Sequence, residues 1–194
     1  MSAIEHKLPS KDRILLAARK LFGENGFHRT SMSELAAGAD MSVGLIYRSF
    51  KSKEEIIEAI VCADFDRKLA EFESLRQRLV DGELTVRQTF EELFQKTIEE
   101  NREALAFDIL AEGFRNGRVG RTIDESCQRL RDYLRQFIRT ANGGLNNEEL
   151  EGATELALCC LFGLGHRNIS KPRLGAVQTA RQSARMVTAA LEGL

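Results

Sequence analysis

Tryptophan is absent from this 194-residue chain, and prolines, tyrosines, histidines and cysteines number only two, two, three and four. Each scarcity closes a class of answers. With two prolines, long stretches run unbroken, and they are rich in Ala, Leu, Glu, Arg and Gln, side chains that lose little rotamer freedom in a helix. An all-β fold is excluded. No apolar run approaches the roughly 18 residues a membrane span needs, and the opening MSAIEHKLPSKDR has no apolar stretch of a secretory signal. A cytoplasmic protein is expected. Cys62, Cys127, Cys159 and Cys160 form no CxxC pair, and His6, His28 and His166 add no zinc-type spacing to them. They read as thiols on helices in a reducing compartment, with redox sensing through Cys127 or Cys159/Cys160 as the alternative. The scattered Ser, His and Cys residues offer no convergent nucleophile–base pair or metal group, so neither catalysis nor a cofactor is expected.

What is present is helix punctuation. SKDRILLAARKLFGENGF places Ile14, Ala17, Ala18, Leu21 and Phe22 at helical spacing, with Ser10 as a candidate cap and Gly26 as the stop. Ser31 followed by Glu34 is a capping-box pattern and starts a short helix through Ala37; Gly38 to Met41 supply a tight turn, and Ser42 caps another short helix to about Phe50. Two short helices joined in this way match a helix-turn-helix. Ser52 with Glu55 begins a long fourth helix, 53–79, broken at Asp81-Gly82. Further helices are expected at 85–101, 103–115, 120–141, 147–167 and 172–192, separated at Asn116-Gly117, Asn142-Gly143-Gly144 and Ser170-Lys171-Pro172. The domain boundary is placed in the continuous fourth helix, giving a head of 1–53 and a body of 54–194.

The formal net charge is −1, which looks unfavourable for a polyanionic partner. Divided at Lys53 it changes meaning. The head holds nine Lys/Arg against five Asp/Glu and the body nineteen against twenty-four, so a head of +4 is joined to a body of −5. Phosphate contacts need local positive charge, not a basic whole, although a solvated helical surface can carry the same charge. In SVGLIYRSF, Leu45 or Ile46 and Phe50 can anchor the helix while Ser42, Val43, Gly44, Tyr47 and Arg48 lie mostly on the other side. Tyr47 and Arg48 fit either a structural aromatic beside a solvated cation or a recognition helix, its N-terminal residues in the major groove. Helix starts at Thr30 or Ser31 and at Lys53 present free N–H groups suited to phosphate.

Residues 10–57, through ILLAARKLFGENGFHRTS, SELAAGADMSVGLIYRSF and FKSKEEI, resemble the N-terminal domain of the TetR family of transcriptional regulators. The family's recognition-helix pattern is present as Ser42, Gly44, Tyr47, Phe50 and Lys53. The resemblance implies phosphate contacts from Thr30, Ser31, Tyr47 and Lys53, and base-edge approach by Ser42, Val43, Gly44, Leu45 and Arg48. Asp40-Met41 stands where Gly-Val is usual; Asp tolerates left-handed backbone, so the turn is retained. The implied fold is all-α: an N-terminal three-helix DNA-binding domain with a helix-turn-helix, joined by a continuous helix to a C-terminal helical ligand-binding and dimerisation domain. The implied function is that of a regulator, a repressor released from operator DNA by a small-molecule effector. A helical protein-interaction module without DNA binding is the rival, but it leaves Ser42, Gly44, Tyr47 and Lys53 unexplained.

The body carries eight of the eleven phenylalanines. Such a set builds a core or lines a ligand cavity; the candidate pocket is Phe65, Phe94, Phe107, Asp108, Phe114 and Cys127. Asp108 stands among apolar neighbours, with Glu112 and Arg115 at spacing for a solvated ion network. His166 and Arg167 fit a pocket, an interface or a helix end equally. The last two helices place small residues in a stripe that permits close helix approach, and a helix-turn-helix reads few base pairs unless two-fold symmetry doubles it. Leu161, Gly165, Ala176, Ala180, Ala184 and Val187 are therefore the candidate homodimer interface.

Overall fold

The computed structural model describes residues 8–99 and 103–193, and His6 and the expected end of the fifth helix at 100–101 lie outside them. Among the described residues there is no strand. The helices are α1 (Ser10–Asn25), α2 (Met32–Gly38), α3 (Val43–Ser49), α4 (Lys53–Val80), α5 (Val86–Glu99), α6 (Glu103–Arg115), α7 (Gly117–Ala141), α8 (Asn147–Gly165) and α9 (Ala176–Glu192). A 3-10 turn, Arg167–Ser170, lies between the last two.

Local chemistry explains most boundaries. Gly26, at φ +81°, ends α1 with its N–H on the Phe22 carbonyl. Ser31 and Glu34 form the full capping box of α2, and the Ser42 hydroxyl accepts the Leu45 N–H at the start of α3. Three expectations shift. Ser10 does not cap α1: it is already helical, and Pro9 occupies the cap position with no side-chain bond. Helix α7 starts three residues early because the Asn116 side-chain Oδ1 accepts the Arg118 N–H at 3.0 Å. Helix α9 starts at Ala176 because left-handed Lys171 turns the chain and Arg167 Nη2 holds the Leu174 carbonyl and the Thr179 hydroxyl at 2.5 and 2.9 Å.

Packing divides the chain into two compact units, one of residues 1–64 with 102–126 and the other of 65–101 with 127–194. In the first, Ile14, Ala18 and Phe22 of α1, Phe27, Leu35 and Ala36 of α2, Ile46 of α3, Phe50, and Ile56, Ile57 and Ile60 of α4 are buried together with Leu105 and Val119. A boundary at Lys53 would cut through this unit, because the first turns of α4 and of α7 and all of the described α6 belong to it. Acidic residues contributed by those later segments pair within the unit: Asp64 with Arg19 at 2.6 Å, and Glu58 and Glu55 with Arg118 at 2.7 and 3.5 Å.

In the second unit Phe72, Phe90, Phe94, Leu134 and Phe137 form a solid centre, with Phe90 and Phe137 edge to face at 4.9 Å. The Tyr133 hydroxyl donates to the Phe72 carbonyl, and burial holds that phenol above its usual pKa. Helix α9 packs chiefly on α5 and buries Ala180, Ala184, Val187 and Leu191. Among the described residues no helix is long and apolar enough to cross a membrane.

Within the first unit α6 and α7 cross at two glycines. A Cβ on Gly120 would lie 2.8 Å from the Gly113 carbonyl oxygen, a clash with backbone that no rotamer relieves. We predict that Gly120→Ala destabilises the protein by about 1–3 kcal/mol despite alanine's better helix propensity. Urea unfolding checks this, and an unchanged midpoint would refute the close crossing.

Candidate nucleic-acid interface

Three features build the turn between α2 and α3. Asp40 takes left-handed backbone at φ +54°, as its side chain tolerates. The Met41 N–H returns to the Ala36 carbonyl at 2.9 Å. From α1, Arg13 Nη2 donates to the carbonyls of Ala39 and Asp40 at 2.6 and 2.8 Å. Sequence reading missed Arg13, since a cation near a helix start carries no signal of the turn it reaches 26 residues away.

This turn leaves α3 attached by one main anchor. Ile46 is fully buried and resolves the choice with Leu45, which is 37% exposed. Ser42, Val43, Gly44, Tyr47 and Arg48 are exposed with it. The outer face of α3 thus offers aliphatic groups, a phenol and a guanidinium, together with a glycine whose added Cβ would meet nothing within 4 Å. Ser31 is exposed at the α2 start, where its backbone and hydroxyl bind Glu34 and hold that carboxyl below its usual pKa range.

Of two expected phosphate contacts, Thr30 is corrected and Lys53 is engaged within the chain. Thr30 is 1% exposed, and its hydroxyl donates to the Gly26 and Leu21 carbonyls at 3.0 and 3.3 Å. Lys53 does not stand free: its ammonium donates to the Phe27 and His28 carbonyls at 2.8 and 3.3 Å and lies 4.7 Å over the Phe27 ring. Both are internal braces of the loop between α1 and α2.

The candidate pocket is not assembled as expected. Phe94 is fully buried in the second unit's core, and Phe65 packs against that core. Phe107 and Phe114 of the first unit are 38% and 95% exposed. Asp108 alone of the six borders a cleft of about 210 Å³ in the first unit, where Phe27, His28, Glu112 and Arg115 join it. Glu112 is not part of a solvated network: its side chain is 7% exposed and lies 3.3 Å from His28 Nε2. Cys127 and Cys160 are half-buried, and burial pushes the Cys160 thiol up, away from the thiolate that redox chemistry needs.

The candidate interface is corrected too. Ala180 and Ala184 are fully buried, Val187 and Leu161 nearly so, and Ala176 packs against the same core, so this stripe serves α5 inside the subunit. Gly165 likewise lies close to the Thr97 methyl. Spacing alone reports that two helices approach closely, not whose helices they are.

A short helix, a turn clamped by an arginine and a second helix with a solvent-facing outer side define a helix-turn-helix DNA-binding regulator. The chain belongs to the TetR family. The sequence pattern described as "Bacterial regulatory proteins, tetR family" matches residues 14–60. The HTH-type transcriptional regulator UidR of Escherichia coli K12 is 35% identical over 134 residues, 69% of this chain and 66% of that protein, so the match spans about two thirds of the relative. Salmonella enterica GusR superposes with a TM-score of 0.73 at 30% identity, covering 96% of this chain and 97% of that one. FadR of Bacillus subtilis in complex with stearoyl-CoA shares the fold, with a TM-score of 0.68 at 18% identity over 92% and 98% of the chains.

Glycine in a helix costs roughly 1 kcal/mol relative to alanine, and nothing in the fold requires it at Gly44. Gly44→Ala is therefore expected to raise stability by about 0.5–1 kcal/mol while weakening duplex binding by obstructing close approach. Thermal melting and a binding titration separate the two effects; unchanged affinity would remove Gly44 from the interface.

Proposed function

We propose that the protein is a homodimeric, ligand-responsive repressor of transcription that binds a roughly palindromic operator. The observation that carries this reading is the outer face of α3, where Ser42, Val43, Gly44, Leu45, Tyr47 and Arg48 are exposed on a helix held by Ile46 and by a clamped turn. Ser42 caps it and Val43 to Leu45 form its N-terminal half, the part that reaches base edges when such a helix lies in the major groove. Arg48 suits a guanine edge or a phosphate, and the Tyr47 hydroxyl suits a phosphate oxygen. Ser31 supplies a second backbone contact at the start of α2. The role is regulatory, not catalytic, and places the protein with its DNA in the cytoplasm.

Dimerisation is supported by faces other than the small-residue stripe. Helix α8 exposes Leu156 and Phe162, and α9 exposes Val177 and Met186. A mostly apolar groove of about 250 Å³ between the two helices is lined by Gly152, Ala153, Leu156, Ala190 and Leu191, with Glu149 at its edge. Exposed apolar groups of this extent need a cover, and a second copy supplies one while doubling the half-sites. Effector response is supported by family membership and by the related fold that binds stearoyl-CoA. A ligand that prefers the non-binding arrangement by a few kcal/mol lowers operator affinity by orders of magnitude.

The test begins with a duplex selected by the wild-type protein from a random pool. Arg48→Ala is expected to weaken binding to it by about 1–3 kcal/mol and to relax the preference at one position or reduce the salt slope by about one. Phe162→Glu with Met186→Glu is expected to sediment as a monomer and to lose most of the affinity. Failure to select any duplex, or a double variant that stays dimeric, would overturn the corresponding half of the proposal.

A further inference from the structure

We propose that Asp108 and Glu112 of α6 are positioning residues for DNA binding, acting on the reading helices through the Gly26–His28 loop. The inference rests on the regulator reading above and adds a second control point to it, away from α3.

The loop is held from two sides. The Phe27 peptide N–H donates to Asp108 Oδ2 at 3.3 Å, while the Phe27 carbonyl accepts from Lys53 at 2.8 Å. One residue later the pattern repeats: the His28 carbonyl accepts from Lys53 at 3.3 Å, and His28 Nε2 lies 3.3 Å from Glu112 Oε2. Lys53 is the first residue of α4, so α4 and α6 grip the same two residues, α4 at their carbonyls and α6 at the Phe27 N–H and the His28 ring. All of these groups lie in one compact unit.

Chemistry makes the grip specific. Glu112 Oε2 is sealed from solvent without a hydrogen bond among the described residues, and a desolvated polar atom gains from the polar ring nitrogen of His28 facing it at 3.3 Å. Gly26 stands at φ +81°, a conformation that suits glycine, and a Cβ there would sit 3.7 Å from Asp108 Oδ2. This left-handed residue directs the next N–H to α6.

The loop leads directly to the DNA-reading helices. The Thr30 hydroxyl is tied to the Gly26 carbonyl, and Ser31 caps α2, which carries α3 through the Arg13-clamped turn. Displacement of Phe27 and His28 therefore moves the start of α2 within three residues. Asp108 and Glu112 set that start without lying on α3 themselves.

The experiment uses the full chain and a duplex selected by wild type from a random pool. Asp108→Ala and Lys53→Met are each expected to weaken duplex binding about tenfold, and the double variant no more than about tenfold, because both release one loop. Asp108→Asn keeps an acceptor oxygen and is expected to restore near-wild-type affinity. Glu112→Gln, which keeps the volume, is expected to weaken binding several-fold. Amide hydrogen exchange at Phe27 is expected to quicken in Lys53→Met, although Lys53 does not touch that N–H; a merely local role of Lys53 would leave it unchanged. Unchanged affinity in Asp108→Ala, a double-variant loss near a hundredfold, or unaltered Phe27 exchange in a folded Lys53→Met would overturn the proposal. If wild type selects no duplex, the regulator reading fails, and the exchange measurement still decides whether the loop couples α4 to α6.

Discussion

The clamp of Arg13 on the Ala39 and Asp40 carbonyls is the constraint on which the DNA-binding face depends. A turn between two seven-residue helices has little hydrophobic contact of its own, and helices that short are unstable alone. Two charge-assisted bonds to backbone oxygens, from a side chain 15% exposed, fix the angle at which α3 leaves α2. With the turn fixed, Ile46 suffices as anchor, and the rest of α3 is released from structural duty. The same separation of tasks explains Leu45: buried, it would add stability, whereas exposed it adds a contact surface.

Charge follows the same division. The basic excess of residues 1–53 is real, yet the compact unit that contains them also takes in carboxylates from α4, α6 and α7. Those carboxylates do not neutralise the reading face, because Asp64 pairs with Arg19, Glu55 and Glu58 pair with Arg118, and Glu112 is buried inside the unit. Arg48 and Lys51, in contrast, remain exposed at the end of α3 and just after it. A near-neutral chain can therefore present a local positive field, which is what phosphate attraction requires.

Helix boundaries and the helix-turn-helix were legible because capping is local chemistry: Ser31 with Glu34, Ser42 with the Leu45 N–H and Gly26 with its positive φ each act within a few residues. Long-range partners were not legible. Lys53 matched the family's pattern as a phosphate contact, but a flexible four-carbon stem reaches a loop 26 residues away as readily. Thr30 looked like a helix-start hydroxyl and turned inward. The stripe of Ala176, Ala180, Ala184 and Val187 correctly announced a close helix contact, but small residues serve contacts within and between subunits alike. The phenylalanines were ambiguous for a similar reason, since Phe94 filling a core and a phenylalanine lining a cavity have the same spacing. Glu112 is buried, not solvated: i, i+3 spacing to Arg115 is a local pattern, whereas burial comes from packing distant in sequence.

The central claim is that the outer face of α3 and the start of α2 meet DNA. It is tested most directly by titrating the isotopically labelled full-length protein with its selected duplex and following backbone amide shifts. The account predicts the largest changes at Ser31 and from Ser42 to Arg48, fading as salt is raised. Changes centred instead on the exposed residues of α8 and α9, with α3 silent, would contradict it.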